Sequence, residues 1–187
     1  MAQDEELVEI TGLDNELVID LAYAGAGNLT GQVIYEEARC LLHRDAAACL
    51  RRAAGLALLA GLRLKVFDAY RPPAAQDRLW RLLPDSRYVA DARVGSNHSR
   101  GVAVDVTLVN GAGKELDMGT AFDAMLDASH HLAPGLPPAV HRNRFLLLGL
   151  MAQAGFRPID SEWWHYELPD ARTFPLVLDG RIRCRES

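Results

Sequence analysis

Apolar residues recur at helical spacing in two long segments of the chain. From Asp45 to about Ala60, alanine and leucine follow the period that buries one face of a helix. Asp45 is a possible N-cap of this segment. The second segment runs from Ala139 to Ala154, and each of the two segments is followed by a glycine, a residue that commonly ends helices. A shorter segment, Ala74 to Leu83, can begin at the prolines that precede it. The pattern therefore predicts three helices.

Alternation of side chains predicts strands between these helices. The clearest strand runs from Gly101 to Leu108. One side of it presents Val102, Val104, Val106 and Leu108, and the other presents Ala103, Asp105 and Thr107. Shorter apolar runs predict further strands at Val18–Leu21, Leu62–Phe67 and Trp163–Leu168. Because strands and helices do not alternate regularly with glycine-rich crossovers, we predict an α+β fold with a mainly antiparallel sheet.

The composition is that of an ordinary folded protein. Hydrophobic residues make up 49% and charged residues 24% of the 187 residues, which excludes a disordered chain. This length supports one substantial core but hardly two independent ones. No repeat, low-complexity tract or flexible linker divides the sequence. We therefore predict a single domain over residues 1–187.

The charge balance argues against two classes of partner. The chain has 20 Lys and Arg residues against 25 Asp and Glu residues, a formal net charge of −5. Such a chain offers no basic surface for nucleic acid or for anionic lipid. Its longest apolar stretches, around Leu56–Leu62 and Phe145–Met151, fall far short of the roughly 18 residues that a membrane helix requires. We therefore expect the protein to bind neither nucleic acid nor membrane.

The cysteines indicate a reducing compartment. Cys40, Cys49 and Cys184 are odd in number, and no two of them have the CxxC spacing. This argues against a disulfide framework and against a zinc site built from thiolates. Residues 1–7 also lack the apolar run of a signal peptide. The sequence therefore predicts a cytoplasmic protein.

The first chemical signal is a carboxylate within the clearest strand. Asp105 lies in an apolar run, where a charge is costly unless it meets a counter-charge or a metal. His98 precedes it in a stretch without alternation, and Gly101 permits the turn that would bring His98 from a loop. Taken alone, Asp105 could pair with an arginine or cap a turn, and His98 could be a loop histidine with a local hydrogen bond.

The second signal is the block SEWWHYE near the C-terminus. His165 can complete a set of two histidines and one carboxylate with His98 and Asp105, which leaves the fourth position of a catalytic zinc open for water. Glu162 can take a proton from that water without being a ligand. Glu167 is a weaker candidate for this base, because it lies farther along the strand. The alternative is that both tryptophans are only core residues beside a satisfied histidine.

The third signal is an arginine where a predicted strand ends. Arg71 belongs to the block DAYRP and precedes two prolines. An arginine delivered at a strand terminus, beside a metal, can stabilise the oxyanion of a tetrahedral intermediate. Its alternative role is that of a surface arginine fixed by Pro72. Spacing alone leaves both roles open.

Several blocks together resemble a known family. DAYRP, SNHSRGVAVD and SEWWHYEL occur in this order at residues 68–72, 96–105 and 161–168, as in the zinc D-alanyl-D-alanine dipeptidases of the VanX type. The resemblance also covers LAYAGAGNLTG at residues 21–31 and MGTAFD at residues 118–123, so that it runs nearly end to end. It implies a hedgehog-like α+β fold in which helices pack on a mainly antiparallel sheet and the zinc site lies on that sheet.

The resemblance implies roles for the residues of the three signals. It assigns one zinc ion per chain to His98, Asp105 and His165. Glu162 would be the general base for the attacking water. Arg71 would polarise the scissile carbonyl and stabilise the tetrahedral intermediate. The implied reaction is the hydrolysis of D-alanyl-D-alanine to two D-alanines.

The resemblance also implies three substrate-binding residues. Asp123, with Tyr23 nearby, would bind the free ammonium of the substrate. Ser96 would help to hold the dipeptide. The implied partner is therefore a small dipeptide, and no macromolecule is required.

Two other functions fit part of the pattern. A carboxypeptidase of the same fold would trim longer peptidoglycan stem peptides, and it would not need an acid such as Asp123 close to the scissile bond. A hedgehog-like module could keep zinc for structure or for partner binding and perform no chemistry. Such a site needs no base beside the water, whereas Glu162 supplies one. The complete set of residues favours a dipeptidase.

Overall fold

The computed structural model describes residues 7–12, 17–85, 89 and 94–178, so that Cys184 and both ends of the predicted domain lie outside the described residues. Within them the chain forms strands and helices in a mixed α+β arrangement, as predicted. The strands are β1 (Leu7–Glu9), β2 (Leu17–Ile19), β3 (Leu41–His43), β4 (Arg63–Asp68), β5 (Ala103–Val109), β6 (Arg157–Ile159) and β7 (Glu162–Glu167). The helices are α1 (Arg44–Leu59), α2 (Pro73–Leu82) and α3 (Pro138–Ala154). None of these helices is long and apolar enough to cross a membrane.

A five-stranded sheet in the order β2-β4-β5-β7-β6 forms the centre of the molecule. β2 pairs with β4 in parallel, and the other neighbours pair antiparallel, which confirms a mainly antiparallel sheet. The register sets Asp105 of β5 opposite His165 of β7 on one side and opposite Asp68 of β4 on the other. Three titratable residues therefore lie side by side across three adjacent strands. A separate two-stranded sheet joins β1 to β3.

The hydrophobic core includes one side of this sheet and the facing sides of α1 and α3. Val106 and Leu108, from the predicted apolar side of β5, are fully buried in the same cluster as Met151 of α3. The other side of β5 is buried as well, because all seven residues of the strand are buried. Asp105 is therefore a carboxylate that is largely shielded from bulk water, and it needs a cation or hydrogen-bond donors within the protein.

The helices agree with the predicted segments, apart from one cap. α1 begins one residue earlier than predicted, because the imidazole of His43 accepts a hydrogen bond from the Asp45 N–H at 3.2 Å. The prediction of Asp45 as the N-cap is therefore wrong. Asp45 lies in the first turn instead, where its negative charge still interacts favourably with the helix dipole.

The end of β4 also differs from the prediction. The strand stops at Asp68, so Arg71 does not lie at a strand terminus. The Asp68 carboxylate accepts a hydrogen bond from the Ala69 N–H at 2.9 Å, which stabilises the exit of the chain from the sheet. Arg71 lies in the short connection between β4 and α2.

Candidate active site

Two histidines and an aspartate meet at the centre of the sheet. His98, Asp105 and His165 are buried, and their potential ligand atoms all lie within 4.8 Å of one another. The Nε2 of His98 lies 3.2 Å from the Nδ1 of His165. The Asp105 carboxylate lies 3.4 Å from that Nε2 and 3.0 Å from that Nδ1. The structure thus brings together the three residues predicted to hold a metal.

Each of the three side chains comes from a different element. Asp105 is in β5 and His165 in β7, and their register makes them direct neighbours. His98 begins a short 3-10 turn that ends at Gly101 in the left-handed conformation, with φ of 69°. A Cβ at Gly101 would lie only 2.5 Å from a side-chain carbon of Leu7. The turn that carries His98 therefore requires glycine both for its backbone conformation and for space.

The remaining ring nitrogen of each histidine is bound by a protein acceptor. His98 donates from Nδ1 to the Ala69 carbonyl at 2.8 Å. His165 donates from Nε2 to the Glu167 carboxylate at 3.1 Å. These bonds fix the two rings so that Nε2 of His98 and Nδ1 of His165 can face a metal ion.

The charges in this cluster favour a cation between the three side chains. Burial disfavours the ionised form of Asp105, but the two histidines outweigh burial and hold its pKa well below the usual range. Burial also disfavours a charge on His165, yet its hydrogen bonds to Asp105 and Glu167 raise its pKa to about 10. Two imidazole nitrogens and a carboxylate oxygen are a ligand set that fits zinc, and a metal ion would replace the proton.

Arg71 is buried beside this cluster. Its side chain is only 9% exposed, so the alternative of a surface arginine is wrong. The guanidinium donates to the Asp68 carboxylate at 2.6 and 3.0 Å and to the side-chain amide oxygen of Gln76 at 3.0 Å. It also lies over the ring of Tyr23, 5.0 Å from the centroid. Burial opposes the charge, but Asp68 outweighs burial and raises the pKa of Arg71, so the guanidinium stays charged.

Asp123 supplies a second acid on the same side of the molecule. Its carboxylate accepts a hydrogen bond from the Tyr23 hydroxyl at 2.6 Å. Its backbone has a left-handed φ of 58°, which is uncommon for a residue other than glycine. Burial raises the pKa of Asp123 to about 7, although the hydrogen bond from Tyr23 lowers it. A cation brought to this carboxylate would offset the cost of its burial.

All eight residues singled out in the sequence line one cavity of about 280 Å³. They are Tyr23, Arg71, Ser96, His98, Asp105, Asp123, Glu162 and His165. Pockets for drug-sized ligands measure roughly 300–1,000 Å³, so this cavity suits a small molecule. Part of the remaining wall is formed by Met125, Ile159 and Arg172. A larger open cleft of about 710 Å³ beside β2 contains none of the eight.

Glu162 and Ser96 have distinct positions in this cavity. Glu162 is the first residue of β7, is half-buried, and does not belong to the group of potential metal ligands. Burial raises the pKa of Glu162, although the charge of His165 lowers it. A raised pKa suits a group that accepts a proton near neutral pH. Ser96 accepts a hydrogen bond from the His98 N–H at 3.2 Å and so supports the turn that carries this histidine.

Both tryptophans of β7 are core residues, and one of them also faces the cavity. Trp163 and Trp164 are buried in the main hydrophobic cluster. The Nε1 of Trp163 donates a hydrogen bond to the Thr120 hydroxyl at 2.8 Å. Trp164 contributes to the cavity wall. Both tryptophans are therefore core residues, as the alternative held, but Trp164 is not only a core residue because it also lines the cavity.

Sequence reasoning missed the residues that hold the functional groups in place. Asp68 is fully buried, binds Arg71 and accepts a hydrogen bond from the Tyr35 hydroxyl. Asn97 donates to Glu167 at 2.8 Å. Asp68 does carry a signal in the sequence, since it is an acid at the end of an apolar strand, three residues before the arginine. No sequence signal indicates the contact between Asn97 and Glu167, because the two residues are 70 positions apart.

Comparison with known proteins supports the resemblance found in the sequence. A family model described as D-ala-D-ala dipeptidase matches residues 3–186. The chain is 50% identical to the D-alanyl-D-alanine dipeptidase of Escherichia coli over 179 residues, which are 96% of this chain and 93% of that protein. It is 34% identical to the D-alanyl-D-alanine dipeptidase of Enterococcus faecalis and 36% identical to that of Streptomyces coelicolor. Both of these matches cover 81% of this chain and 85% of the relative.

These matches decide between an enzyme and a binding module. The family model spans nearly the whole chain, and the identity to the Escherichia coli protein extends over almost the same length. The family consists of metallopeptidases, so the alternative of a non-catalytic module is wrong. The buried cluster of two histidines and an aspartate is consistent with a metal-dependent peptidase. The chain therefore belongs to the D-ala-D-ala dipeptidase family of metallopeptidases.

Proposed function

We propose that this protein is a zinc-dependent dipeptidase that hydrolyses D-alanyl-D-alanine to two D-alanines. The observation that carries the proposal is the shared cavity, in which a potential metal cluster, a buried arginine and the Asp123 carboxylate surround one small space. Hydrolysis of a dipeptide requires a metal ion for the scissile carbonyl, a cationic group for the developing oxyanion and an acid for the free ammonium. The names of the relatives support the substrate, and the preference for D over L residues rests on them alone.

His98, Asp105 and His165 would hold one zinc ion per chain on the face of the antiparallel sheet, as in the hedgehog-like fold. When bound, zinc acts as a Lewis acid on the scissile carbonyl and on the attacking water. The protein fixes the ligands in advance, since Ala69 holds the ring of His98 and Glu167 holds that of His165. Little reorganisation is therefore needed when the metal binds.

Glu162 is the general base in this proposal. It lines the cavity beside the cluster without contributing to it, so its carboxylate is available for proton transfer. It takes a proton from the attacking water and delivers it to the amine of the departing D-alanine. Because burial raises its pKa, Glu162 is a stronger base than an exposed glutamate would be. Glu167 is less suited to this role, since its carboxylate already accepts hydrogen bonds from His165 and Asn97.

Arg71 stabilises the negative charge that develops on the carbonyl oxygen. Asp68 and Gln76 hold its guanidinium in place before the substrate arrives. A donor that is oriented in advance in a buried site stabilises the transition state more than a mobile one in water. The planar guanidinium has five N–H donors, so it can keep its hydrogen bonds to Asp68 and Gln76 and still present an N–H to the cavity.

Asp123 binds the ammonium of the first D-alanine, and the Tyr23 hydroxyl keeps this carboxylate in position. The contact is a charge-assisted hydrogen bond, which a blocked amine cannot make. Ser96 contributes its hydroxyl to the wall that holds the dipeptide. The site therefore selects a free dipeptide over a longer peptide.

An assay of the zinc-loaded protein on three peptides tests this proposal. We expect rapid hydrolysis of D-alanyl-D-alanine and almost none of its N-acetylated form or of L-alanyl-L-alanine. The blocked peptide would leave the buried Asp123 carboxylate without a cation, at a cost of several kcal/mol. Equal cleavage of the free and the N-acetylated peptide would instead support the carboxypeptidase, and the role of Asp123 would be wrong.

We also propose that residues 1–187 form one catalytic domain that works in the cytoplasm. The family match over residues 3–186 supports the single domain. The cytoplasmic location stays a prediction from the cysteine content, and Cys40 and Cys49 are both free thiols. Fractionation of cells that express the full chain would test the location.

A further inference from the structure

The last residue of β7 is an acid in contact with one of the predicted metal ligands. The Oε2 of Glu167 lies 3.1 Å from the Nε2 of His165, the ring nitrogen that is not directed at His98 and Asp105. Glu167 and His165 are two positions apart in one strand, so their side chains leave the same face of the sheet. The residue opposite Glu167 on β5 is Ala103, whose side chain is only a methyl group. This part of the sheet therefore leaves room for the longer acid beside the histidine.

A second contact holds the Glu167 carboxylate itself. Asn97 donates from Nδ2 to the same Oε2 at 2.8 Å. Asn97 is the residue directly before His98, so its side chain connects the turn that carries one ligand to the strand that carries the other. The side chain of Glu167 is only 24% exposed, which limits competition from water for these hydrogen bonds. The two contacts form a chain from Asn97 through Glu167 to His165.

We propose that Glu167, held by Asn97, is a positioning residue for the metal ligand His165. By accepting the Nε2 hydrogen, the carboxylate selects the tautomer whose Nδ1 lone pair faces His98 and Asp105. Its negative charge also makes the imidazole a stronger ligand. Asn97 acts through Glu167 and keeps the two histidines in a fixed relation. This inference rests on the zinc site of the proposed function and adds two residues to it.

Zinc affinity of the purified full chain, measured by competition with a chromophoric chelator, tests the proposal directly. Glu167→Ala should weaken zinc binding by roughly 10- to 100-fold. Glu167→Gln should lie between this variant and the native protein, because an amide oxygen still accepts the hydrogen bond but carries no charge. Glu9→Ala is a matched control, since Glu9 ends β1 as Glu167 ends β7 and pairs with Arg39 at 2.8 Å. The control should bind zinc as the native protein does.

A double variant tests whether Asn97 acts through the acid. Asn97→Ala should weaken zinc binding less than Glu167→Ala does. The variant with both changes should be no weaker than Glu167→Ala alone, because the contact made by Asn97 has already been lost. Additive losses would overturn the role of Asn97.

The visible absorption of the cobalt-substituted protein reports on the orientation of His165. We expect altered ligand-field bands in Glu167→Ala and a partial return toward the native bands in Glu167→Gln. A purely structural role would lower the melting temperature and leave these bands unchanged. Unchanged bands in Glu167→Ala would therefore overturn the inference, and so would native zinc affinity. If the native protein itself bound no zinc, the proposed function would fail instead, so the two failures are distinguishable.

Discussion

The role proposed for Arg71 depends on Asp68 and Gln76, which hold its guanidinium in place. We expect Arg71→Ala to lower kcat by about 100-fold or more, ~3 kcal/mol, because the charge that Arg71 meets develops only in the transition state. Arg71→Lys should restore little of this, since an ammonium cannot bond Asp68 and Gln76 as a planar fork does. Steady-state kinetics on D-alanyl-D-alanine measures both. An increase confined to KM would make Arg71 a clamp for the substrate's carboxylate instead.

Glu162 can be separated experimentally from the metal ligands. Glu162→Ala should keep its zinc and lose several orders of magnitude in turnover, because it removes the proposed base and leaves the potential metal cluster intact. His165→Ala should lose both zinc and activity. Metal analysis of the purified variants, together with single-turnover kinetics, distinguishes the two results. Near-normal turnover in Glu162→Ala would remove this residue from the mechanism.

Asp123 makes the stability of the metal-free protein depend on pH. The pKa of Asp123 is about 7 when the protein is folded, above its ordinary value of 3.8. A raised pKa means that the folded state binds the proton more tightly, so this stabilisation is fully present below pH ~4 and is lost as the pH rises through about 7. Asp123→Asn, which has no proton to lose, should therefore gain stability over the native protein by up to about 4 kcal/mol at pH 8.

At pH 4 the same pair of proteins should differ little, because the native Asp123 is then protonated in the folded state. Urea unfolding of both metal-free proteins at the two pH values measures the difference. If the difference in the free energy of unfolding between the two proteins were the same at pH 4 and pH 8, the ionisation of Asp123 would not affect stability.

Among the elements, the turn that carries His98 has the strictest demand on sequence. Gly101→Ala should destabilise the protein by more than the ~1–2 kcal/mol that a left-handed residue costs, because its Cβ would also overlap Leu7. It should weaken zinc binding as well, since the turn would shift. Gly61→Ala is the control, because Gly61 has a similar φ of 71° with no atom within 4 Å of the added Cβ. Denaturant unfolding and zinc titration of both variants provide the comparison.

Most of the elements that the sequence predicts are long enough to show a period, whereas the three-residue strand β2 is predicted from its apolar run alone. β5 has seven residues and α3 has 17, and both follow directly from the spacing of their apolar positions. β1, β3 and β6 have three residues each, too few to display alternation. Such short strands form because a partner strand lies beside them, which only the folded chain shows.

The candidate site also has a part that the sequence predicts and a part that only the structure shows. His98, Asp105 and His165 can be predicted because each lies in a local block with a distinctive chemical pattern. The contact between Asn97 and Glu167 depends on how distant segments meet, and no local pattern announces it. The cap of α1 follows the same logic, since only the structure shows that the ring of a preceding histidine accepts the hydrogen bond.

At the scale of the whole molecule, the potential metal cluster joins the turn before β5 to two strands at the centre of the sheet. Zinc that binds only the folded state should therefore stabilise the entire domain, by about 4 kcal/mol at a thousandfold excess over its dissociation constant. A chelator should lower the melting temperature of the native protein accordingly. In His165→Ala the addition of zinc should leave the melting temperature unchanged. An equal zinc-dependent shift in that variant would locate the stabilising metal elsewhere.

The residues of the cavity wall come from parts of the chain that differ in how well they tolerate substitution. The residues of the potential metal cluster and Glu162 lie on β7, on β5 and on the turn before β5, and all seven residues of β5 are buried. Met125, Ile159 and Arg172 instead come from a loop, from the edge strand β6 and from a turn near the C-terminal end of the described chain. A library aimed at bulkier dipeptides can therefore randomise these three positions while the chemistry stays untouched. In evolutionary terms, these three wall positions can change while the residues proposed for hydrolysis are kept, so the range of accepted dipeptides can widen before the reaction itself is altered.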